Sequence, residues 1–433
     1  MATAFPVNIA IDRTDLPTLP ADWSWVQFSE TCERVSVGHV GPTTEFFTDA
    51  EDGIRLLRSQ NVRPGKLEME NAVSITPDFH KKLKKSQLRS GDILFVRVGA
   101  NRGDCCVVPN NVGELNCANI VFARPKHSTG FHAYFFQSEL GQHLLLSASV
   151  GAAQGVINTS SVAIMPVPVP PLSVQRRIAG ILSAYDELIE NNQRRIRILE
   201  DMARSLYREW FVHFRYPGHE SVPLVDSSFG QIPKSWEVIP FTEIADVLSG
   251  GTPKTDVANY WNGEIPFFTP RDAPDSFYVQ DADKHVTELG LSKCASQLYP
   301  PDTVFITARG TVGKVALPSV PMAMNQSCYA LRGKAGISQR FLFLMTLQQV
   351  DYLKTNTGGA TFDTIVVDTF RRMQIIKPSL DLIARFTSRI DAVFEQVNTL
   401  QRQTANLRRT RDLLLPRLLS GQVALTEQAT KWF

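Results

Sequence analysis

Apolar positions along this chain follow two rhythms, and each rhythm occurs twice. The first is a short continuous run behind a turn. Gly91-Asp92 precedes Ile93-Leu94-Phe95-Val96, and Pro301-Asp302-Thr303 precedes Val304-Phe305-Ile306, so a buried strand is expected at each place. Both strands run into glycine-bearing basic loops, RVGANRGD over 97–104 and TARGTVGK over 307–314. Leu19-Pro20-Ala21-Asp22-Trp23 is echoed by Ile232-Pro233-Lys234-Ser235-Trp236, and Gly53-Ile54-Arg55-Leu56-Leu57 by Gly263-Glu264-Ile265-Pro266-Phe267. Gly151-Ala152-Ala153 then matches Gly359-Ala360-Thr361, and VPVPPL from Val167 matches IIKPSL from Ile375. The chain reads as two copies of one unit about 210 residues apart.

The second rhythm follows each proline-ended strand. Stepping alternately by four and three, it runs Ile178, Leu182, Tyr185, Ile189, Asn192, Ile196, Leu199, Ala203, Leu206, Trp210. Shifted by 208 residues it runs Phe386, Ile390, Val393, Val397, Leu400, Thr404, Leu407, Arg411, Leu414, Leu418. An a/d seam held over more than four heptads predicts a coiled coil. About 40 helical residues make a rod of roughly 60 Å, too long for the interior of either globular part, so the helices are expected to pack on each other. Asn192 sits on the seam either to fix register at a cost in stability or as a tolerated polar contact. Pro416 and Gly421 are expected to stop the second helix, and Phe214 to Gly230, with its prolines and glycines, reads as a linker.

Bulk composition adds limits. A chain of 433 residues, 43% hydrophobic and 20% charged, suits two or three globular domains. No apolar run reaches the ~18 residues of a membrane span, and the opening MATAFPVNIAIDRTD has no signal-peptide pattern, so a cytoplasmic protein without a membrane partner is expected. Six cysteines without a C-x-x-C pair read as buried thiols, and the eight scattered histidines show no zinc pattern, so no metal is expected. A net charge of +2 leaves any polyanion site to local arrangement.

The paired I-P-x-x-W-type starts, the Gly-Asp-Ile-Leu-Phe strand, P-P-L-S-V-Q-R-R-I-A-G-I-L from Pro170, the run Trp210 to Glu220 and the terminal Leu413 to Gly421 appear in a fixed order. From about Leu19 to Leu425 the chain thereby resembles the specificity subunit of Type I restriction-modification systems. The resemblance implies an α+β chain: two tandem α/β target-recognition domains, each followed by a long helix, the two helices forming an antiparallel coiled coil. The division expected is a tail at 1–18, a first recognition domain at 19–170, a helix at 171–213 and a linker at 214–230. A second domain at 231–378, a helix at 379–421 and a tail at 422–433 complete it. It further implies that each domain reads half of a bipartite, asymmetric site in double-stranded DNA, while the coiled coil spaces the domains and docks two methyltransferase subunits. Restriction subunits join that complex; S-adenosylmethionine, ATP and magnesium belong to those partners, so no cofactor and no catalytic residue is expected in this chain. The first copy departs at Val37-Gly38-His39-Val40-Gly41-Pro42-Thr43, where the second has the more usual Ser249-Gly250-Gly251-Thr252-Pro253-Lys254.

Readers need cations for phosphates and forked side chains for base edges. The candidates are Arg58, Gln60, Asn61, Arg97, Asn101 and Arg102 in copy one, and Lys254, Arg271, Asp272, Arg309, Thr311 and Lys314 in copy two. The plainer use of any one of these turns is solvation. The run Lys81, Lys82, Lys84, Lys85 is likewise either a solvated face or a phosphate track. Tyr260-Trp261 and Phe267-Phe268 suit an apolar core better than base stacking. GTVGK is not a phosphate loop, because Ala308 and Val315 stand where Walker A needs glycine and Ser or Thr. Two other readings compete: a coiled-coil scaffold without DNA readout, and the recognition part of a fused methyltransferase or nuclease. The latter needs an N/D-P-P-Y/F motif or an acidic two-metal set, and neither is visible.

Overall fold

The chain, seen here as a computed structural model, is described over residues 16–148, 155–356 and 364–423. The echo of Gly151-Ala152-Ala153 in Gly359-Ala360-Thr361 lies outside these residues.

The duplication is repeated in topology. In copy one, β1 (Ser24–Gln27) precedes β2 (Cys32–Val37), β3 (Ile54–Leu57), β4 (Val73–Ile75), β5 (Gln87–Leu88), β6 (Ile93–Val96), β7 (Cys105–Val107), β8 (Leu115–Cys117), β9 (Ile120–Pro125) and β10 (Pro166–Val169). One sheet has the order β2-β9-β6-β7 and a second β4-β3-β8-β5, while β1 and β10 pair antiparallel beneath the long helix α1 (Leu172–Phe211). Copy two holds β11 (Glu237–Pro240), β12 (Ala245–Ser249), β13 (Trp261–Phe268), β14 (Tyr278–Val279), β15 (His285–Val286), β16 (Val304–Thr307), β17 (Val315–Pro318), β18 (Ala323–Met324), β19 (Cys328–Gly333) and β20 (Gln374–Lys377). Its sheets run β12-β19-β16-β17-β14 and β15-β13-β18, and β11 pairs with β20 ahead of α2 (Leu380–Leu419). In both copies the second sheet contains a parallel pair, β3 with β8 and β13 with β18, flanked by an antiparallel strand. Burial on both faces explains why the apolar runs recur: Ile93 and Phe95 enter one core while Leu94 and Val96 enter another, and Val304–Thr307 is likewise buried throughout.

The compact units are not cut where the sequence copies end. One comprises residues up to 187 together with those from 408 onward, and the other residues 188–407. The first takes Leu418 and Leu419 into the core formed by Phe28, Phe95, Phe131, Ile178 and Leu182. There Arg411 Nη1 meets Asp186 Oδ1 at 2.6 Å, and Tyr134 donates to Asp186 Oδ2 at 2.7 Å. In the second, Phe386 at the start of α2 packs on Trp210 (5.5 Å between ring centroids) and Phe211 (4.9 Å) at the end of α1. Numbers fall along one helix as they rise along the other, so the pair is antiparallel. Ile178, Leu182, Ile189, Asn192 and Ile196 are buried on α1, and Phe386, Ile390, Val397 and Leu400 on α2. Tyr185, Leu199, Leu206, Val393, Leu407 and Leu414 are half-buried. The α2 seam places Phe394 in full burial beside half-buried Val393, and α1 adds Tyr207. Alternating steps of four and three miss these residues because Phe394 faces Phe277 and Phe343 of the recognition domain, and Tyr207 sits between Phe341 of that domain and Phe386 of the opposite helix.

Glu200 is buried on α1 in the second unit. Its carboxylate accepts from Phe277 N at 2.8 Å and from the Ser276 hydroxyl and pairs with Arg204 at 3.4 Å; burial pushes its carboxyl above the ordinary range. Gln401 donates to Ser276 Oγ at 2.6 Å, and Gln280 donates to Asn398 Oδ1 at 3.1 Å. These bonds tie the segment carrying β14 to both helices, a link to which no hydrophobic periodicity points.

Two boundaries differ from expectation. Pro416 lies inside α2, which continues to Leu419 because burial of Leu418 and Leu419 outweighs the missing proline N–H; the stop is Gly421, at φ 71°. The expected linker at 214–230 is structured: Tyr216 stacks on Trp236 (5.6 Å, 23°), and Leu224–Ser227 forms a hairpin with Gly230–Pro233. Its prolines and glycines mark turns within that linker.

His132 supplies a stability test in the first unit. It is buried edge-on to Phe28 (5.5 Å) and Phe131 (5.4 Å), its Nε2 has no hydrogen-bond partner, and burial pulls its pKa down to about 4. The unfolded chain takes up this proton near 6.5, so the contribution is constant above that pH and lost as pH falls from 6.5 towards 4. The loss amounts to about 3 kcal/mol. Denaturant titrations over that range should show a shallower acid slope for His132→Leu than for the parent; equal slopes would refute the assignment.

Candidate nucleic-acid interface

In each copy four loops leave the sheets at one end, three of them held together by corresponding backbone hydrogen bonds and the fourth by a bond of its own kind in each copy. In the first, Gly38 N donates to Ile120 O (2.8 Å), His39 N to Cys117 O (2.9 Å), Asn119 N to His39 O (3.0 Å) and Ala118 N to Leu57 O (2.9 Å). The loops after β2 and β3 are thereby joined to the β8–β9 crossover. Arg97, at the end of β6, donates from Nη1 to Asn119 Oδ1 at 2.7 Å and brings in the fourth loop. In the second, Gly250 N donates to Cys328 O (3.4 Å), Gly251 N to Met324 O (3.2 Å), Asn325 N to Phe268 O (3.0 Å) and Ala308 N to Ser327 O (2.8 Å). Thr252 and Gln326 also bond through their side chains.

A close approach of backbone to backbone makes this frame possible. A Cβ on Gly38 would lie 2.5 Å from Cys117 O, and one on Gly250 would lie 2.1 Å from Asn325 O. Only glycine permits that contact, which is why Gly38 and Gly250 occupy matching places although the loops around them diverge.

The sequence-derived candidates separate into two groups. Asn61 is fully buried: its Oδ1 accepts from Arg58 N at 2.8 Å and its Nδ2 donates to Glu68 O at 3.0 Å. Asp272 performs the same task in copy two, accepting from Thr269 N and Thr269 Oγ1 at 2.7 Å each and from Asp283 N at 2.9 Å. Both residues lock the turn that ends the central strand, and neither offers a side chain to a base. Arg58 is half-buried over the Phe47 ring at 5.8 Å. Arg97 also bonds Ile157 O (3.3 Å), Arg102 bonds Gly155 O, and Lys314 pairs with Asp275. Gln60, Asn101, Lys254, Arg271, Arg309 and Thr311 are exposed on the loops.

Sequence reading missed His39, Asn119, Thr252, Asn325, Gln326 and Ser327, which the frame places among the loops. The signal was a step of 207 residues from Cys117-Ala118-Asn119 to Met324-Asn325-Gln326, short of the main repeat and without a shared residue type. Trp261 packs on Phe267 (5.4 Å) and donates from Nε1 to Lys254 O, so its ring serves packing within the domain.

The exposed set offers forked donors and acceptors suited to guanine and adenine edges, and cations suited to phosphates. Among the described residues no three His, Cys, Asp or Glu side chains cluster so as to hold a metal. Cys105 and Cys117 are buried, and burial pushes both thiols up, away from nucleophilic thiolate character. No described helix is long and apolar enough to cross a membrane.

A duplicated pair of loop-bearing α/β domains, each leading into one of two antiparallel helices, defines a class of two-reader proteins. The profile of the Type I restriction modification DNA specificity domain matches residues 49–201 and 233–405, so the chain belongs to that family. It is 31% identical over 158 residues to the Type I restriction enzyme MjaIX specificity subunit of Methanocaldococcus jannaschii, covering 36% of this chain and 37% of that protein. It is 21% identical over 415 residues to the HindI specificity subunit of Haemophilus influenzae, covering 81% and 90%. Its fold is similar to the crystal structure of the Type I restriction-modification S subunit from M. genitalium, with a TM-score of 0.61 at 14% identity, covering 95% of this chain and 98% of that one.

Truncation of locks and exposed side chains should have different effects. Asn61→Ala and Asp272→Ala should each lower thermal stability, by about 1–3 kcal/mol for the donors left unpaired. Arg271→Ala and Arg309→Ala should leave melting unchanged and weaken DNA binding, by about 1–3 kcal/mol for a residue that reads a base. Melting curves and filter binding separate the outcomes; normal binding by both arginine variants would remove these loops from the interface.

Proposed function

We propose that this chain is the DNA-specificity subunit of a Type I restriction-modification complex, in which each recognition domain reads one half of a split, asymmetric site. The observation that supports it best is the pair of loop clusters: one backbone frame, built on Gly38 and Gly250, carries different side chains in the two copies. A shared backbone core with unlike surfaces suits two different short sequences. The antiparallel helices serve as spacer and as the dock for two methyltransferase subunits, with restriction subunits joining the full assembly in the cytoplasm.

On this reading the chain is not itself a catalyst. The residues present do not fit the groups such systems use. No N/D-P-P-Y/F motif accompanies the loops, the glycine loop at 307–314 lacks Walker A residues, and the Lys314 ammonium is already paired with Asp275. On the same proposal, S-adenosylmethionine, ATP and magnesium are bound by the partner subunits.

Replacing residues 19–170 by the first domain of another family member, in a strain that expresses the methyltransferase, should change one half-site and leave the other half and the gap untouched. Changes in both halves would contradict modular reading. Adding seven residues to each long helix should lengthen the gap by about three base pairs, since seven helical residues rise about 10 Å and DNA about 3.4 Å per pair.

A further inference from the structure

The net charge of +2 leaves open how a polyanion is held. Residues 19–170 contain 14 basic and 14 acidic side chains, and residues 231–378 also contain 14 of each. Neither domain attracts DNA by its overall charge, so phosphate binding rests on local arrangement. One local arrangement exists in copy one without a counterpart in copy two.

In copy one the strand β4 leads into a short helix, Pro77–Lys82, and a single 3-10 turn, Lys84–Ser86. The start of this segment packs against the loop cluster: the Phe79 ring stacks on Phe46 (3.7 Å, 12°) and lies edge-on to His39 at 5.6 Å. The backbone that carries Lys81, Lys82, Lys84 and Lys85 is fastened on several sides. Asn116, on the strand leading into the crossover, contacts His80 Nδ1 at 3.2 Å and donates to Leu83 O at 3.4 Å. Gln87 donates to His80 O at 3.1 Å, and Arg34 donates from Nη2 to Lys85 O at 2.6 Å. All four lysines are exposed. Lys81 has an exposed partner in Asp78 at 3.7 Å; among the described residues no carboxylate lies within ion-pair distance of Lys82, Lys84 or Lys85. An ordinary solvated charge run needs neither this anchoring nor a seat against a reading loop.

The matching segment of copy two has the same frame and a different charge. β15 leads into the helix Glu288–Ser292, capped by Thr287 and held through Thr287 N to Tyr260 O at 3.0 Å. It offers one glutamate, Glu288, and one lysine, Lys293.

We infer that the Lys81–Lys85 segment is a preorganised phosphate clamp, so that the first recognition domain supplies the larger share of the salt-dependent grip on the DNA backbone. This deepens the DNA-reading function proposed above and rests on it. Each phosphate neutralised on duplex DNA contributes about 0.9 to the slope of log K against log salt. Four ammonium groups on this anchored backbone therefore give a slope contribution of about 3.6, and Lys293 gives less than 1. The clamp carries no sequence information, because phosphates are the same at every step.

The test uses the full chain and measures binding to a duplex with its split site and to a scrambled duplex, between roughly 50 and 200 mM salt. The variant K81Q/K82Q/K84Q/K85Q should lose about 3.6 from the salt slope on both duplexes, with the ratio of the two affinities and the melting temperature unchanged. Lys293→Gln should change the slope by less than 1. An unaltered slope in the quadruple variant would overturn the clamp, and so would a selective loss on the split site, which would make the lysines base readers. A parent chain that fails to prefer the split site would instead refute the reading function, while the slope comparison still decides the role of the lysines.

Discussion

Neither compact unit of this protein closes without the antiparallel return of α2 along α1. The core around Phe28, Phe95 and Phe131 is completed by Leu418 and Leu419, more than 230 residues beyond the first unit's own strands. The core around Phe277, Phe341 and Phe386 closes on Tyr207, Trp210 and Phe394 in the same way. Contacts of such sequence separation carry the full entropy of loop closure before they stabilise anything, so the apolar burial along the seam must be large and continuous. That requirement explains why the seam tolerates few polar positions. Of its polar positions, Thr404 bonds back to Leu400 O, Arg411 pairs with Asp186, and Asn192 is buried.

Above this support the recognition domains need only a constant backbone frame. Gly38 and Gly250 allow the crossover strand to approach the loop after the first sheet strand, and Asn61 and Asp272 lock the adjoining turn from inside. With the frame fixed by glycine contacts and internal caps, the outward side chains are free to differ. His39 and Asn119 in one copy stand where Gly251 and Gln326 stand in the other. Divergence of surface at constant frame is the physical form that two unlike half-sites would take.

Much of this architecture was legible in the residues. The seam positions from Ile178 and Phe386 follow from a periodicity that burial on one face enforces, and the continuous apolar runs at 93–96 and 304–306 from burial on both faces. Three parts were not legible. Phe394 and Tyr207 pack on side chains of the domain beside the helices, Tyr207 on the opposite helix as well, and a heptad count passes over both. Asn61 and Asp272 have the chemistry of base readers, and only their burial and hydrogen bonds reveal turn locks. The crossover residues at 118–119 and 325–327 lack shared types because the frame bonds through their backbone. The segment after α1 misleads in the opposite sense, since its prolines and glycines resemble a tether until Tyr216 and Trp236 are seen to stack.

The central claim, two different readers held by one pair of helices, is tested most directly by single-molecule sequencing of modified bases in DNA from cells that express this chain with its methyltransferase. The account predicts two short, unlike sequences at one fixed separation, each carrying a modified base. A single uninterrupted motif, or two motifs at variable separation, would contradict it.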